Sequence, residues 1–329
     1  TSELKLKYLR SFCNIKPGAL YNESILKEVE EVVHHPDFKG YISDIGGPSA
    51  NMYGLKGKVQ EICDRCVSPS CIHPVVCSNL DADHSQMTEL YRKVDAHPKV
   101  KKAFVGSGIR YDLLVPEYNK QDNDSIDEYV DQLVSRHVSG RLKVAPEHTS
   151  DDTLKVMRKP SFKHFHTFKK KYEEANEKHG LNQPLIPYFI SSHPGCKPQD
   201  MANLAAETKS MGFKLEQVQD FTPTPMTVAT IIYYTGVHPY TLKPVYTAKT
   251  DKEKKNQHMF FFWYKKENRQ KIRDKLNGIG RKDLVEKLLD DNKVRKHESI
   301  RARSGSVPSK RRPSKIKPDN KRVGKSRRK

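Results

Sequence analysis

Four cysteines in one short polar segment offer the most distinctive chemistry in this chain. The segment reads CDRCVSPSCIHPVVC from residue 63 to 77, and its spacing is C-x2-C-x4-C-x5-C. The four residues are Cys63, Cys66, Cys71 and Cys77. Four soft ligands this close in sequence can surround a tetrahedral zinc ion or bind an iron–sulfur cluster, provided that the segment folds back on itself.

The spacing leaves the nature of this site open. Cys63-x2-Cys66 is a common metal-binding pair, but the next two spacings match no standard zinc ribbon or ferredoxin pattern. His73 or His84 could replace one of the thiolates. Free thiols are the second interpretation of the four cysteines, and a disulfide is the third, because thiols stay reduced in the cytoplasm.

The composition predicts a cytoplasmic protein with a basic tail. No apolar run approaches the ~20 residues that cross a bilayer, and the first residues, TSELKLKYLR, lack the features of a secretory signal. Residues 293–329 supply most of the formal net charge of +20, since they hold 16 Lys or Arg and 2 acidic residues. The segment 292–329 is predicted to be disordered, and it is either a solubilising extension or a nonspecific arm for nucleic-acid phosphates.

Runs of strand length alternate with segments of helical spacing along the chain. The runs are FKGYISDI (38–45), KKAFVGS (101–107), GRLKVAP (140–146), LIPYFISS (185–192) and LEQVQDF (215–221). The first clear helical segment is NESILKEVEEVVHH (22–35), in which Asn22 is predicted to be the N-cap. Strands that alternate with helices indicate an α/β fold with a parallel sheet.

The predicted carboxyl ends of these strands are unusually polar. They read SDIGGPSAN (43–51), GSGIRYD (106–112), APEHTSDD (145–152), SSHPGC (191–196) and DFTPTPMT (220–227). In parallel sheets, ligands bind beyond this edge. Charged or hydrogen-bonding side chains from different strands therefore converge there, and the sequence predicts a pocket: Arg110, Glu147, His148, His193 and Asp220.

After Asp251 the pattern changes to charged helices around an aromatic core. The run from Phe260 to Tyr264 could be a base-stacking platform, but aromatic residues at adjacent helical positions are more typical of a buried face. Residues 251–291 are thus predicted to form a helical extension.

Five longer motifs resemble the YgiQ-type radical S-adenosylmethionine proteins. They are GYISDIGGPSANMY (40–53), SCIHPVVCSNLDADH (70–84), AFVGSGIRYDLL (103–114), VAPEHTSDDTLKVMRKP (144–160) and DFTPTPMTVATIIYYTGVHP (220–239). The resemblance covers roughly residues 22 to 290 in order. It implies a partial (β/α)6 barrel with a four-iron four-sulfur cluster that binds S-adenosylmethionine, cleaves it and forms a 5′-deoxyadenosyl radical.

The resemblance also assigns residues to the cofactor site. It places Gly46 and Gly47 near the methionine part of S-adenosylmethionine, and it places Ser107, Arg110 and Glu147 along the rest of that ligand. The FTPTP motif at 221–225 would close the site near the adenine. From the residues alone, these positions are polar or flexible strand ends and no more.

One part of the family pattern is missing from this chain. The family's cluster is held by C-x3-C-x2-C after the first barrel strand, and upstream of residue 22 there is only Cys13. We therefore expect an amino-terminally truncated or diverged member, with an open sheet edge and without catalytic activity on its own. The cysteines at 63–77 resemble a second set, which could hold an auxiliary iron–sulfur cluster or zinc.

The expected organisation has four parts. A lead-in at 1–21 precedes a partial barrel at 22–250 that includes the cysteine segment, and the helical extension at 251–291 precedes the basic tail at 292–329. The alternative function is a non-catalytic protein that binds zinc and nucleic acid. The substrate cannot be predicted, because the residues at a barrel mouth determine it and many chemistries share one scaffold.

Overall fold

Parallel strands and the helices that flank them form the framework of the computed structural model. The structure describes residues 19–46, 49–68, 70–120 and 124–290, with side chains from residue 22 onward. Cys13, Gly47 and the predicted tail at 292–329 lie outside the described residues.

The parallel strands follow one another in space in the same order as in the sequence. Strand β1 (Tyr41–Ile42) pairs with β4 (Lys102–Ala103). Strand β5 (Leu142–Glu147) pairs with β6 (Leu185–Ser191), and β6 pairs with β7 (Val218–Asp220). A parallel bridge between Ile109 and Val144 connects the segment after β4 to β5. The carboxyl ends of these strands therefore lie along one edge.

Residue type explains which face of β5 packs inward. Leu142 and Val144 are buried, whereas Lys143 and Ala145 are only half-buried. Successive side chains of a strand point to opposite faces, so Lys143 and Ala145 share the face that is left open to a ligand.

The helices flank these strands and pack on one hydrophobic core. Helices α1 to α6 are Ala19–Val33, Gln60–Asp64, Ser85–Asp95, Pro116–Asn119, Asp124–Gln132 and Asp151–Met157. Helices α7 to α12 are Lys163–Lys178, Pro198–Ser210, Val228–Thr235, Asp251–His258, Arg269–Gly278 and Asp283–Leu289. No helix within the described ranges combines the length and the apolarity that crossing a membrane requires.

The carboxy-terminal helices share the core of the sheet. Phe260 and Phe261, which follow α10, are fully buried, as are Ile272 and Leu276 in α11. The prediction that the aromatic run is a buried face is therefore confirmed, and these rings are not exposed for stacking on bases.

Two features differ from the sequence-based expectation, whereas the α/β class and the parallel strands are confirmed. The sheets are small and the described residues form no closed barrel, so the partial (β/α)6 barrel stays a prediction. Helix α1 begins at Ala19, so the assignment of Asn22 as its N-cap is wrong, and Asn22 instead accepts a hydrogen bond from Tyr53. A short antiparallel pair, β2 (Lys56–Gly57) with β3 (Leu80–Asp81), flanks the cysteine segment and was not predicted.

Candidate functional site

A cavity of about 440 Å³ opens between the segment after β4 and one face of β5. This volume lies within the range of roughly 300–1,000 Å³ that is typical of small-molecule sites. Its polar lining includes Ser107, Arg110, Asp112, Glu147 and Lys159. The structure therefore brings together Ser107, Arg110 and Glu147, which the sequence resemblance assigned to one site.

Arg110 is held in place by a carboxylate that sequence reasoning missed. Its guanidinium donates two hydrogen bonds to Asp112, one of them from Nε to Oδ1 at 2.9 Å. Asp112 is only 2% exposed, whereas part of the arginine reaches the cavity. A guanidinium oriented in this way still has donors for a ligand carboxylate or phosphate.

The backbone of Arg110 is fixed by the side chain of Asn51. The Asn51 side chain accepts a hydrogen bond from the Arg110 N–H at 2.7 Å and donates one to the Arg110 carbonyl at 2.9 Å. His84 lies beside Asn51, and its Nδ1 bonds to the Ala82 carbonyl. Burial lowers the pKa of His84 to about 4, so the ring is neutral at physiological pH.

Glu147 occupies a backbone conformation that is rare for its residue type. Its φ is +67°, and the register of β5 against β6 shifts between Val144 and Glu147. The Glu147 carboxylate forms an ion pair with Lys159 at 3.2 Å. Bulges and left-handed non-glycine residues cost free energy and are concentrated at functional sites.

Asp44 joins the ends of β1 and β4. Its carboxylate accepts hydrogen bonds from the Gly46 and Gly106 amides at 3.1 and 3.0 Å, and from the Ser107 hydroxyl. Gly46 is thus near the cavity but is not part of its lining, whereas Ser49 is. A Cβ atom at residue 46 would overlap the Ala50 side chain, which explains a glycine at this position.

The other polar strand ends form a second cluster of side chains, outside the cavity. His148 and His193 are buried, and the pKa of each is lowered by burial, to about 3 for His148 and about 4 for His193. Asp220 accepts hydrogen bonds from Ser191 and from Nδ1 of His258 in α10. These three predicted residues lie at the expected edge, but none lines the cavity.

The cysteine segment lies beside this edge, in a loop between β2 and β3. The Cys77 amide donates to the Cys71 carbonyl at 2.8 Å, which folds the segment back on itself. Cys63 Sγ accepts a hydrogen bond from Asn79, and Cys66 Sγ accepts one from the Ser68 amide. All four cysteines are free, and the described residues contain no group of three or more ligands arranged to hold a metal ion.

The other three thiols are nevertheless close enough to affect Cys71. Burial raises the pKa of Cys71, and the neighbouring thiols of Cys77, Cys63 and Cys66 raise it further. Several thiolates at this spot would repel one another unless a cation compensated their charge. His73 lies nearby with a pKa lowered mainly by burial, and His84 belongs to the Asn51 network instead.

Two bacterial proteins closely resemble this chain. A UPF0313 protein of Porphyromonas gingivalis is 60% identical over 268 residues, which are 81% of this chain and 42% of that protein. A UPF0313 protein of Bacteroides thetaiotaomicron is 60% identical over 267 residues, or 43% of its length. The relatives of this chain are thus UPF0313 proteins. This chain spans less than half of their length.

More distant relatives carry the same name. A UPF0313 protein of Pseudomonas putida is 42% identical over 270 residues, which are 34% of that protein. Residues 216–325 also match the model of a domain of unknown function, DUF3362. UPF0313 is the YgiQ-type group, so the resemblance seen in the motifs is confirmed at that level.

Proposed function

We propose that this chain carries the S-adenosylmethionine-binding part of a radical S-adenosylmethionine protein. The observation that supports this proposal is the cavity, in which Ser107, Arg110 and Glu147 meet although they come from two different strand ends. Since the matched region covers only 42% and 43% of two UPF0313 relatives, radical chemistry in the whole protein is proposed to need residues outside this chain.

The chain's own residues suit the polar groups of such a ligand. Arg110, fixed by Asp112, offers donors to the ligand carboxylate. Glu147 and Ser107 offer acceptors to its ammonium group or its ribose hydroxyls. Gly106 and Gly108 line one wall and let it pack closely on its neighbours, because a Cβ at residue 106 would lie 2.9 Å from the Ser43 carbonyl oxygen and one at residue 108 would lie 3.0 Å from the Lys143 carbonyl oxygen.

The described cysteines do not fit the cluster that would activate this ligand. That cluster needs three adjacent thiolates that leave one iron open. Cys196 is fully buried against His148, and the four cysteines of the loop lack the C-x3-C-x2-C spacing. The function proposed for this chain is therefore ligand binding, with no reaction step assigned to it.

Calorimetric titration of the chain with S-adenosylmethionine and with S-adenosylhomocysteine tests the proposal. We expect binding that weakens about 10-fold or more in Arg110→Ala and Glu147→Gln, because each loses a charge-assisted hydrogen bond. Arg141→Ala is the matched control, because Arg141 is exposed and precedes β5 at the opposite end of the strand. Absence of binding at millimolar ligand would overturn the proposal.

We also propose that Cys63, Cys66, Cys71 and Cys77 bind a metal, either as an auxiliary iron–sulfur cluster or as zinc. The neighbouring thiols that raise the pKa of Cys71 and the two N–H···S hydrogen bonds support this proposal. Nitrogen donors to sulfur favour thiolates and are a frequent outer layer of such sites.

Metal analysis after two parallel treatments separates the two forms. One sample is reconstituted anaerobically with iron and sulfide, and the other is loaded with zinc. We expect uptake in one of the two and its complete loss in the double variant Cys63→Ser/Cys66→Ser, whereas Cys196→Ser keeps it. Equal metal content in the double variant and the unmodified chain would contradict this assignment.

A further inference from the structure

We propose that Gln257 of α10 is a positioning residue for the cavity, because it holds the ends of β5 and β6 in the shape that presents Glu147. Gln257 is 1% exposed and lies outside the cavity lining. It belongs to the region that matches the domain of unknown function. The inference gives that region a role in the candidate site, and its ligand-binding test rests on the proposed function.

The Gln257 side chain uses both of its polar atoms on the loop after β6. Its Oε1 accepts a hydrogen bond from the Ser192 amide at 2.8 Å, and its Nε2 donates one to the Cys196 carbonyl at 2.8 Å. Ser192 has a φ of +62°, which is unfavourable for serine. Gln257 therefore supplies the hydrogen bonds that keep this strained residue in place.

A continuous chain of hydrogen bonds leads from Gln257 to the residue after Glu147. The Cys196 thiol donates to Gln257 Oε1 at 3.2 Å, and Cys196 Sγ lies 3.4 Å from His148 Nε2. The Ser150 amide donates to His148 Nδ1 at 2.9 Å, so the ring proton is on Nε2 and is donated to the sulfur.

The protonation states agree with this direction of donation. Burial raises the pKa of the Cys196 thiol and lowers the pKa of His148. Both groups are thus neutral, and Cys196 is a hydrogen-bonding link and not a nucleophile. His148 directly follows Glu147, whose φ of +67° is the second strained position that the chain of hydrogen bonds secures.

The position of Gln257 is itself fixed by the start of α10. The Thr250 hydroxyl accepts a hydrogen bond from the Glu253 amide, and the Glu253 carboxylate accepts one from the Thr250 amide at 2.9 Å. This capping box sets where the helix begins, and Gln257 follows Glu253 by one turn on the same face.

Hydrogen exchange of the full chain without ligand tests the coupling directly. In Gln257→Met, which keeps the side-chain length but has no amide, we expect about 10-fold faster exchange or more at residues 192–196 and also at 147–150. Leu276→Ala in α11 is the stability control, because it removes buried volume elsewhere and breaks none of these hydrogen bonds. Faster exchange at 192–196 alone would overturn the inference.

Conservative replacement of the sulfur gives a second test. Cys196→Ser keeps a donor to Gln257 and an acceptor for His148, whereas Cys196→Val has neither. We expect exchange at 147–150 to remain slow in the serine variant and to accelerate in the valine variant. Equal exchange in the two variants would show that packing alone supports Glu147.

Titration with S-adenosylhomocysteine completes the set. We expect Gln257→Met to weaken binding about 10-fold, in parallel with Glu147→Gln, while Leu276→Ala binds as the unmodified chain does. If the unmodified chain does not bind, the proposed function fails and the exchange results still decide the inference. If it binds and Gln257→Met binds equally well, the inference fails alone.

Discussion

The cavity and the cysteine segment lie near the same sheet edge but are built in opposite ways. Around the cavity, Asn51 and Asp112 are almost completely buried and make paired hydrogen bonds to Arg110. In the cysteine segment, Cys66 and Cys71 are exposed, and Val67 and Val75 are 97% and 64% exposed. The segment buries little apolar surface of its own.

The contrast shows where the two regions obtain their shape. The cavity is shaped by strands, by a buried ion pair and by the hydrophobic core, all of which this chain provides. The cysteine segment has few such contacts, so its final geometry depends on what the four thiols hold. Metal binding often contributes the folding free energy that a small loop lacks.

The largest expected difference between the regions comes from breaking the buried ion pair. Arg110→Leu leaves Asp112 buried without its partner, so we expect the free energy of unfolding to fall by about 3–5 kcal/mol. Cys66→Ser in the exposed segment should change it by less than about 0.5 kcal/mol in the absence of metal. Urea unfolding followed by circular dichroism measures both.

A double variant sharpens this prediction. In Arg110→Leu/Asp112→Leu no charge is left unpaired, and much of the lost stability should return. If the single variant Arg110→Leu is as stable as the unmodified chain, the ion pair does not support the cavity and the comparison fails.

Acid should destabilise the fold through buried histidines that lie near the cavity. The pKa of His84 is about 4 in the folded chain and near 6.5 when unfolded, because burial disfavours the charged ring. Above pH 6.5 neither state binds a proton, and as the pH falls the unfolded state gains protons first. At pH 5 we expect this histidine to lower the free energy of unfolding by about 2 kcal/mol.

His148 should add a loss of the same sign, because burial lowers its pKa to about 3. Unfolding free energies measured from pH 7.5 to pH 5 test the effect, and His84→Gln should flatten the profile. A profile with an unchanged slope in that variant would assign the acid sensitivity to other groups.

A methyl group added at residue 57, next to the cysteine segment, should change the metal affinity more than the free energy of unfolding. A Cβ at residue 57 would overlap Cys63 Sγ, so Gly57→Ala must move the thiol. We expect metal affinity to fall about 10-fold or more, with a stability cost of about 1 kcal/mol. Competition titration with a zinc chelator measures the affinity.

Gly278→Ala is the matched control for this variant. Gly278 is helical, and no atom within 4 Å would meet its Cβ. The same substitution should therefore stabilise α11 by about 0.5–1 kcal/mol and leave metal uptake unchanged. Unchanged metal affinity in Gly57→Ala would mean that Cys63 does not bind the metal.

Only a small effect on stability is expected at Lys159. Its ion pair with Glu147 is partly exposed, so Lys159→Met should change the free energy of unfolding by less than about 1 kcal/mol. We expect a change in ligand affinity instead, because Glu147 loses its fixed partner in the cavity. Calorimetry with S-adenosylhomocysteine measures it, and a large loss of stability without a change in affinity would contradict this view.

The sequence predicted where the parallel strands end better than it predicted how long each strand is. Polar residues after apolar runs correctly indicated the ends of the parallel strands, because burial and turn residues leave local signals. Strand β6 occupies nearly all of its predicted run, but β1 contains only Tyr41 and Ile42 of the predicted 38–45. Strand length depends on pairing with a neighbour, which local pattern does not encode.

The supporting residues of the site were not predictable from single positions. Asp44, Asn51 and Asp112 are ordinary turn or helix-start residues in sequence, and their roles depend on contacts with residues up to 63 positions away. Gln257 was missed for the same reason. The parallel strand order could have indicated Asp44, because the ends of adjacent strands must be tied together.

The sequential order of the parallel strands has a consequence for how such proteins diversify. Since each strand contributes its own loop to the shared edge, a change in one loop alters a single wall of the cavity and leaves the others intact. Ligand preference can thus be modified step by step during evolution, while the hydrophobic layer underneath remains constant.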